Sequence, residues 1–511
     1  MQSFLSLLPE RTQRLAAHRF WNLGVFVLMS CIGLAVCVRG FNIGYYGDSF
    51  RYIFNDPENR ILYFFAHPNP YDPFYRPTMF LVVMISQALE GTNTYILHAV
   101  HFLTHILCAF LVYVGTRTVT KSVFAGLVAG LYMLFAESNG YAIFNNGALS
   151  QILGTLPGYC ALWLLYKFYA ETEHKARNYA LSVLCFVLAI MAKETSMSFL
   201  PMACALIAMM HSEGKLQAFS TRTFWQKSLR DGAIFVALGM AFLLVRKYVI
   251  GIEGQPAFGA ARYEMNLGKN LLINPLQTVF AVFQPLSTAD VFGAVKYRYW
   301  SLLLLAVFLF AVIASILVFG LVKAWREERL RTVIAGCLCL LPFSMMPMMF
   351  LNHVSELYSY NTLPLLALLL GLSITAIWEY APKVSIRAAL GTGFVLLLAI
   401  NAASLQRKID GMKNNARLAS TLLPQVLPIV REMPQNGHLV LVNTANPRLE
   451  YSIIHQRGFN VFRYATCVFQ ERANRHDVNI YVIEPDSVLE KSLHTATILA
   501  LQNDTTVIRK Q

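Results

Sequence analysis

The chain has 511 residues, 56% of them hydrophobic and 14% charged, with a mean hydropathy of +0.48. Soluble domains carry about 25% charged residues, so the composition excludes a large soluble enzyme and marks a polytopic membrane protein. The formal net charge of +14 fits cytoplasmic loops facing anionic lipid, and no nucleic-acid partner is expected.

Apolar runs predict about eleven spans, near 20–39, 95–116, 121–136, 151–169, 178–192, 197–211, 231–250, 300–322, 331–351, 361–379 and 386–405. Arg11, Arg14 and Arg19 precede the first, and no small-residue cleavage site follows it. This reads as a retained first helix with a cytoplasmic N-terminus, without a cleavable signal peptide. Between the first two spans lies Tyr45–Pro77, polar and aromatic, with Asp48, Asp56, Glu58 and Asp72 beside Arg51, Arg60 and Arg76. The run 78–90 reads as an interfacial helix with Pro77 in its first turn.

Charge sets the expected topology. With an inside start, the cytoplasmic connections are basic, KAWREERLR at 323–331 most clearly. The outer connections Glu137–Ser150 and Asn352–Asn361 contain no Lys or Arg. That asymmetry places Tyr45–Pro77, Ile252–Tyr299 and the C-terminal tail on the outer, periplasmic side. A membrane module over 1–405 and a soluble domain over 406–511 are expected. The tail predicts a helix at Gln406–Val430, then strands in HLVLVNT, NVFRYA, NIYVIEP, ATILALQ and TTVIRK, giving a small α/β or mostly β domain. Eight of the nine cysteines lie in apolar runs, without zinc-like spacing, and read as core residues.

Several residues could carry chemistry. Asp48 lies just beyond the outer end of the first span. A carboxylate among aromatics at a membrane surface can act as a base, whereas an ordinary loop acid is solvated. Arg51 shares its face if a turn forms. Arg76 offers a planar fork for a phosphate or an ordinary interfacial cation. Lys193-Glu194 interrupts two apolar spans, where charge usually faces a cavity or a partner; the bland alternative is a self-neutralising pair at a tight turn. His98, His101 and His105 share one helix face, which suits inter-helix hydrogen bonds better than a metal. Glu137, Arg246, Glu356, Tyr358 and Tyr360 complete a set of polar residues, from separate segments, that all map to the outer face.

The order of these segments resembles the GT-C class of membrane glycosyltransferases. It is most similar to the transmembrane O-mannosyltransferases that bear tetratricopeptide repeats, within the protein O-mannosyltransferase superfamily, and to their bacterial relatives. The resemblance rests on Tyr75-Arg76-Pro77, then Gly91, Asn93, His98 and His105, and on AKET (Lys193, Glu194), LLVRKYVIG (Arg246, Gly251) and SELYSYNTLP (Glu356, Tyr360, Pro364). Three features depart from the pattern: Glu356 is followed by Leu357 where the family has Arg, ESNGYAIFNNGALSQ stands where the family has a His-Pro and Thr-Glu pattern after the third span, and the repeats are absent.

The resemblance implies an all-α, GT-C-like membrane fold with a large first outer loop. It implies transfer of a sugar from a polyprenyl-phosphate donor to a hydroxyl on a protein, glycan or lipid, with inversion by direct displacement, at the outer face of a bacterial inner membrane. Asp48 takes the place of the catalytic acid, with Glu137 as an orienting substitute for a missing one. Arg76, Lys193 and Arg246 are implied phosphate contacts, and Glu194, Glu356 and Tyr360 also belong to the donor side. Asp56, Glu58 and Asp72 fall back to solvated acids or loop caps. No cofactor is certain; a divalent metal is possible by resemblance, because some members of the class use one. The rival readings are a flippase or transporter of lipid-linked sugars and an envelope assembly scaffold. A transporter calls for broken helices and charge near the bilayer midplane, whereas this chain gathers its polar residues at one face.

Overall fold

The computed structural model describes residues 20–54, 57–69, 71, 74–212, 216–250, 268–351, 355–443, 456–463, 465–483, 496–502 and 505–510. Several expectations lie wholly or partly outside them: the basic N-terminal segment, Asp56 and Asp72, the first part of the Ile252–Tyr299 loop, and Asn352.

Among the described residues, ten helices are long and apolar enough to cross a membrane, or eleven if one bent pair counts as a span. In chain order the helices are α1 (Trp21–Cys37), α2 (Pro77–Glu90), α3 (Tyr95–Thr120), α4 (Val123–Phe135), α5 (Gly140–Phe144), α6 (Leu149–Ala170), α7 (Lys175–Ala192), α8 (Phe199–Ser212) and α9 (Arg222–Ile250). There follow α10 (Asn270–Phe283), α11 (Thr288–Tyr297), α12 (Trp300–Ala324), α13 (Glu328–Met349), α14 (Glu356–Ser359), α15 (Leu363–Tyr380) and α16 (Val384–Glu432). The expected spans all fall on these helices. The third, 121–136, is the first arm of the bent pair: α4 ends at Phe135, and Glu137–Phe144 leaves it at 49°. The 14 residues of α2 reach only about 21 Å, too short for a hydrocarbon core of about 30 Å.

Local chemistry places the breaks. Pro77 opens α2, where its missing N–H costs nothing. Ser122 caps α4 by accepting the Ala125 N–H at 3.1 Å, and Ser355 accepts from Leu357 N at 3.3 Å ahead of α14. The buried α15 approaches α4 closely: a Cβ on Gly371 would sit 2.4 Å from the Ala125 carbonyl oxygen, the small-residue contact that brings membrane helices together. By contrast α12 leaves Leu304, Phe308 and Val318 largely exposed, an apolar surface suited to lipid.

Basic connections gather at one end of the bundle. There Arg117 Nη1 donates to Asn22 Oδ1 at 2.5 Å, and Arg329 Nη2 to the Val119 carbonyl at 2.9 Å. The connections expected outside converge at the other end.

The helix expected in the tail forms, and one expected strand is corrected. The last span and the helix expected at 406–430 are one 49-residue helix, α16. No Gly or Pro interrupts it near residue 405, and polar residues replace apolar ones without breaking the 3.6-residue period. The start of NVFRYA is no strand: Gly458–Phe462 forms a 3₁₀ turn, all five residues buried, and Tyr464 lies outside the described residues. Tertiary burial overrides its β propensity there. The other four strands form as expected: β1 (His438–Val442), β2 (Asn479–Ile483), β3 (Thr497–Gln502) and β4 (Thr506–Lys510). They make one sheet in the order β2-β1-β3-β4, parallel except for the β3/β4 pair, with α17 (Cys467–Ala473) between β1 and β2 in sequence. The domain is therefore α/β. It packs directly on the first outer loop, with Phe50 stacked on Phe462 at 5.4 Å between ring centroids and Tyr71 Oη bonded to Glu471.

Candidate active site

Asp48 is carried by a 3₁₀ turn, Gly47–Tyr52. Gly47 enters it at φ +56°, a left-handed conformation that glycine adopts at little cost. Ser49 Oγ closes it by accepting the Tyr46 N–H at 2.9 Å and donating to the Tyr46 carbonyl at 2.6 Å. The turn brings Arg51 Nη2 to 3.9 Å from Asp48 Oδ1, the shared face that the sequence suggests. Asp48 keeps 39% of its side chain exposed, so it is reachable.

The turn is fixed from beneath by α2 and α3. Buried Gln87 donates to the Tyr52 carbonyl at 2.5 Å and accepts from Phe54 N at 3.4 Å. Thr94 Oγ1 and His98 Nε2 both bond the Ile43 carbonyl, at 2.9 and 2.8 Å. Gln87→Leu should therefore cost about 1–3 kcal/mol, since it strands buried backbone groups. A thermal melt in detergent should show this loss.

Glu137 and Glu356 do meet, through a residue that the sequence reading passed over. Lys408 of α16 is fully buried, with Nζ 2.5 Å from both Glu137 Oε1 and Glu356 Oε2. The same ammonium donates to Thr288 Oγ1 at 2.9 Å and to the Glu137 carbonyl at 3.2 Å. Thr288 N donates to Glu137 Oε1 at 2.8 Å, and Thr288 Oγ1 bonds Glu356. The lysine stem runs along Gly140, where a Cβ would come within 2.7 Å of Lys408 Cδ. The available signal was Asn401, Ser404 and Lys408 on one helix face. Asn401 Oδ1 accepts from Glu137 N at 2.7 Å, and Ser404 Oγ donates to the Pro285 carbonyl at 2.9 Å.

A second cluster is cationic. Arg76 Nε contacts Glu194 Oε2 at 3.0 Å, and Arg76 lies over the Phe74 ring at 4.1 Å. Lys193 is buried with Nζ 5.2 Å from the centre of the Tyr358 ring. Lys193 and Glu194 thus split between different partners rather than neutralising each other. Arg246 is half-buried, one turn beyond Phe242, whose ring packs on Tyr75 at 5.8 Å. Its Nε is buried without a hydrogen-bond partner.

The segment 356–360 joins the two clusters. Glu356 reaches Lys408, and Tyr358 lies under Lys193. Tyr360, expected on the donor side, is instead wholly buried and bonds His105 Nδ1 at 2.8 Å. Tyr46, two residues before Asp48, is wholly buried, and that burial, with the Glu356 and Asp48 carboxylates adding to it, pushes its phenol well above its ordinary range. Among the loop acids of lower rank, Glu58 is exposed, as a solvated acid should be.

The histidines hold the frame. His98, His101 and His105 contact the carbonyls of Ile43, Ala142 and Leu134 at 2.8, 3.2 and 3.2 Å. Among the described residues, no three His, Cys, Asp or Glu side chains converge as a metal-binding group. Lys408 occupies the space between Glu137 and Glu356 where a cation would otherwise bridge them, so the residues present do not fit a divalent ion there.

No known family's model matches the chain, and no curated protein matches it. Solved structures do. The apo oligosaccharyltransferase of Archaeoglobus fulgidus superposes with a TM-score of 0.50 at 12% identity, over 90% of this chain. The same archaeal enzyme, AglB, in complex with an inhibitory peptide and a dolichol-phosphate, gives 0.50 at 11% over 91%. This chain spans 64% of the length of those archaeal chains. Apo ArnT from Cupriavidus metallidurans gives 0.50 at 13% identity, over 94% of this chain and 93% of its own. AglB and ArnT are GT-C glycosyltransferases, and the fold of this chain is the GT-C fold.

Proposed function

We propose that the protein is an inverting membrane glycosyltransferase, taking its sugar from a polyprenyl-phosphate donor at the outer, periplasmic face of a bacterial inner membrane. One observation carries the reading: residues 356–360 join the Glu137–Lys408–Glu356 triad, through Glu356, to the Lys193 ammonium over Tyr358, and the adjoining Glu194 holds Arg76. A transfer from a lipid phosphate needs this pairing. The acceptor oxygen must lose a proton as it attacks, and the departing phosphate must meet positive charge.

In the proposed step the acceptor hydroxyl attacks the anomeric carbon and Asp48 takes its proton. The bond from that carbon to the phosphate oxygen breaks, and polyprenyl phosphate leaves toward Arg76, Lys193 and Arg246. Glu194 holds Arg76 there at 3.0 Å. The triad orients the 356–360 segment. The archaeal neighbour's complex with a dolichol-phosphate supports a lipid-phosphate ligand in this fold. The O-mannosyltransferase kinship, the division of the chain near residue 405 and the cytoplasmic N-terminus belong to the same proposal.

Arg76→Gln tests the cationic half. With a labelled polyprenyl-phosphate sugar, the expected result is a donor KM raised roughly tenfold or more, with the anomeric configuration of the product still inverted. An unchanged KM would remove Arg76 from the donor site. A product of retained configuration would remove direct displacement.

A further inference from the structure

A cleft of about 480 Å³ lies between α16 and the C-terminal domain, lined by Asn414, Arg417, Leu418 and Thr421 on one side and Gln456, Arg457, Gly458 and Thr505 on the other. Its size falls within the range of small-ligand sites. Arg417 and Arg457 line it, and no carboxylate is among its described lining residues. Arg guanidinium groups bind carboxylate and phosphate oxyanions through paired N–H donors.

The cleft opens beside the Asp48 turn. A Cβ on Gly47 would lie 3.5 Å from Gln456 Oε1; with no side chain at 47, that oxygen faces the turn directly. Gln456 is 8% exposed, and its Oε1 is buried without a hydrogen-bond partner. A buried amide oxygen left unmatched is costly, and a hydroxyl proton would satisfy it. The backbone holds this side chain in place: Gln456 N donates to Asn415 Oδ1 of α16 at 3.1 Å.

We propose that this cleft is the acceptor subsite and that it selects a hydroxyl-bearing anion. An acidic sugar fits, its oxyanion between Arg417 and Arg457 and its hydroxyl between Gln456 and Asp48. The inference rests on the glycosyltransferase reading for the word acceptor, but the binding chemistry stands by itself. The continuous helix gives the arrangement a structural basis. Lys408, on the buried triad, and Arg417, on the cleft, are nine residues apart on α16, which at 1.5 Å per residue is about 13 Å along the axis.

The test is a binding titration with the full chain in detergent, at physiological salt. Four probes are compared: a uronate disaccharide, a disaccharide phosphate, the matching neutral disaccharide and inorganic phosphate. The expected result is that both anionic sugars bind at least roughly tenfold tighter than the neutral one, and that the stronger of the two names the anion. Arg417→Glu, at an exposed position, should erase that preference without shifting the thermal melt, and Arg417→Lys should keep part of it. Equal binding of the neutral sugar, or an unaltered preference in Arg417→Glu, overturns the proposal. Inorganic phosphate binding as tightly as the sugars overturns the role given to Gln456. Anion-selective binding without any transfer leaves the cleft standing and defeats the glycosyltransferase reading instead.

Discussion

Lys408→Met should destabilise the protein by about 3–5 kcal/mol, the cost of breaking a buried ion pair from one side. The side chain is entirely inaccessible, and its ammonium is the shared partner of Glu137 and Glu356. Removing it leaves two carboxylates facing each other inside the protein, with Glu137 wholly buried. The neighbouring Arg407 is the control. It pairs with Asp290 at 3.2 Å but is 75% exposed, and Arg407→Met should cost no more than about 1 kcal/mol. A triple variant, Glu137→Gln with Glu356→Gln and Lys408→Met, should recover most of the lost stability, because the uncompensated charge is gone. Thermal unfolding in detergent reads all three. A melt of Lys408→Met that matches the wild type would mean that the triad does not hold this end of the bundle together.

Asp48→Asn should lower kcat by about 10²–10⁴-fold, the usual contribution of a general base, while the donor KM stays within about twofold. Asparagine keeps the shape and loses the proton acceptor. Asp48 is 39% exposed, and a thermal melt of the variant reads any loss of fold separately from the loss of rate. A variant with normal unfolding and normal kcat would release Asp48 from catalysis and leave Glu137 and Glu356 as the carboxylates to examine.

The membrane fold was legible because an apolar span is a property of the sequence alone: about 20 residues without charge must be buried in something apolar. The short helix at Pro77 was legible for a similarly local reason, as proline pre-sets the first turn. Lys408 was not. Its meaning depends on Glu137 and Glu356, 271 and 52 positions away, and the expected boundary at residue 405 assigned it to a soluble domain. A lysine just past an apolar run looks like an interfacial residue. Only the continuity of α16 turns it inward, on the same face as Asn401 and Ser404. Lys193-Glu194 was legible as a place and not as a pair, because the Arg76–Glu194 contact joins segments 118 positions apart. NVFRYA misled for the converse reason: its β-prone composition lies in a turn buried against the Asp48 loop, and packing there outweighs propensity.

Donor turnover tests the proposed transfer most directly. Purified wild-type protein should consume a polyprenyl-phosphate sugar and release polyprenyl phosphate when a hydroxyl acceptor is present. It should leave a nucleotide sugar untouched, and the release should fall to near background in Asp48→Asn. Release that persists in Asp48→Asn, or flux of the intact lipid-linked sugar across a proteoliposome without any release, would contradict it.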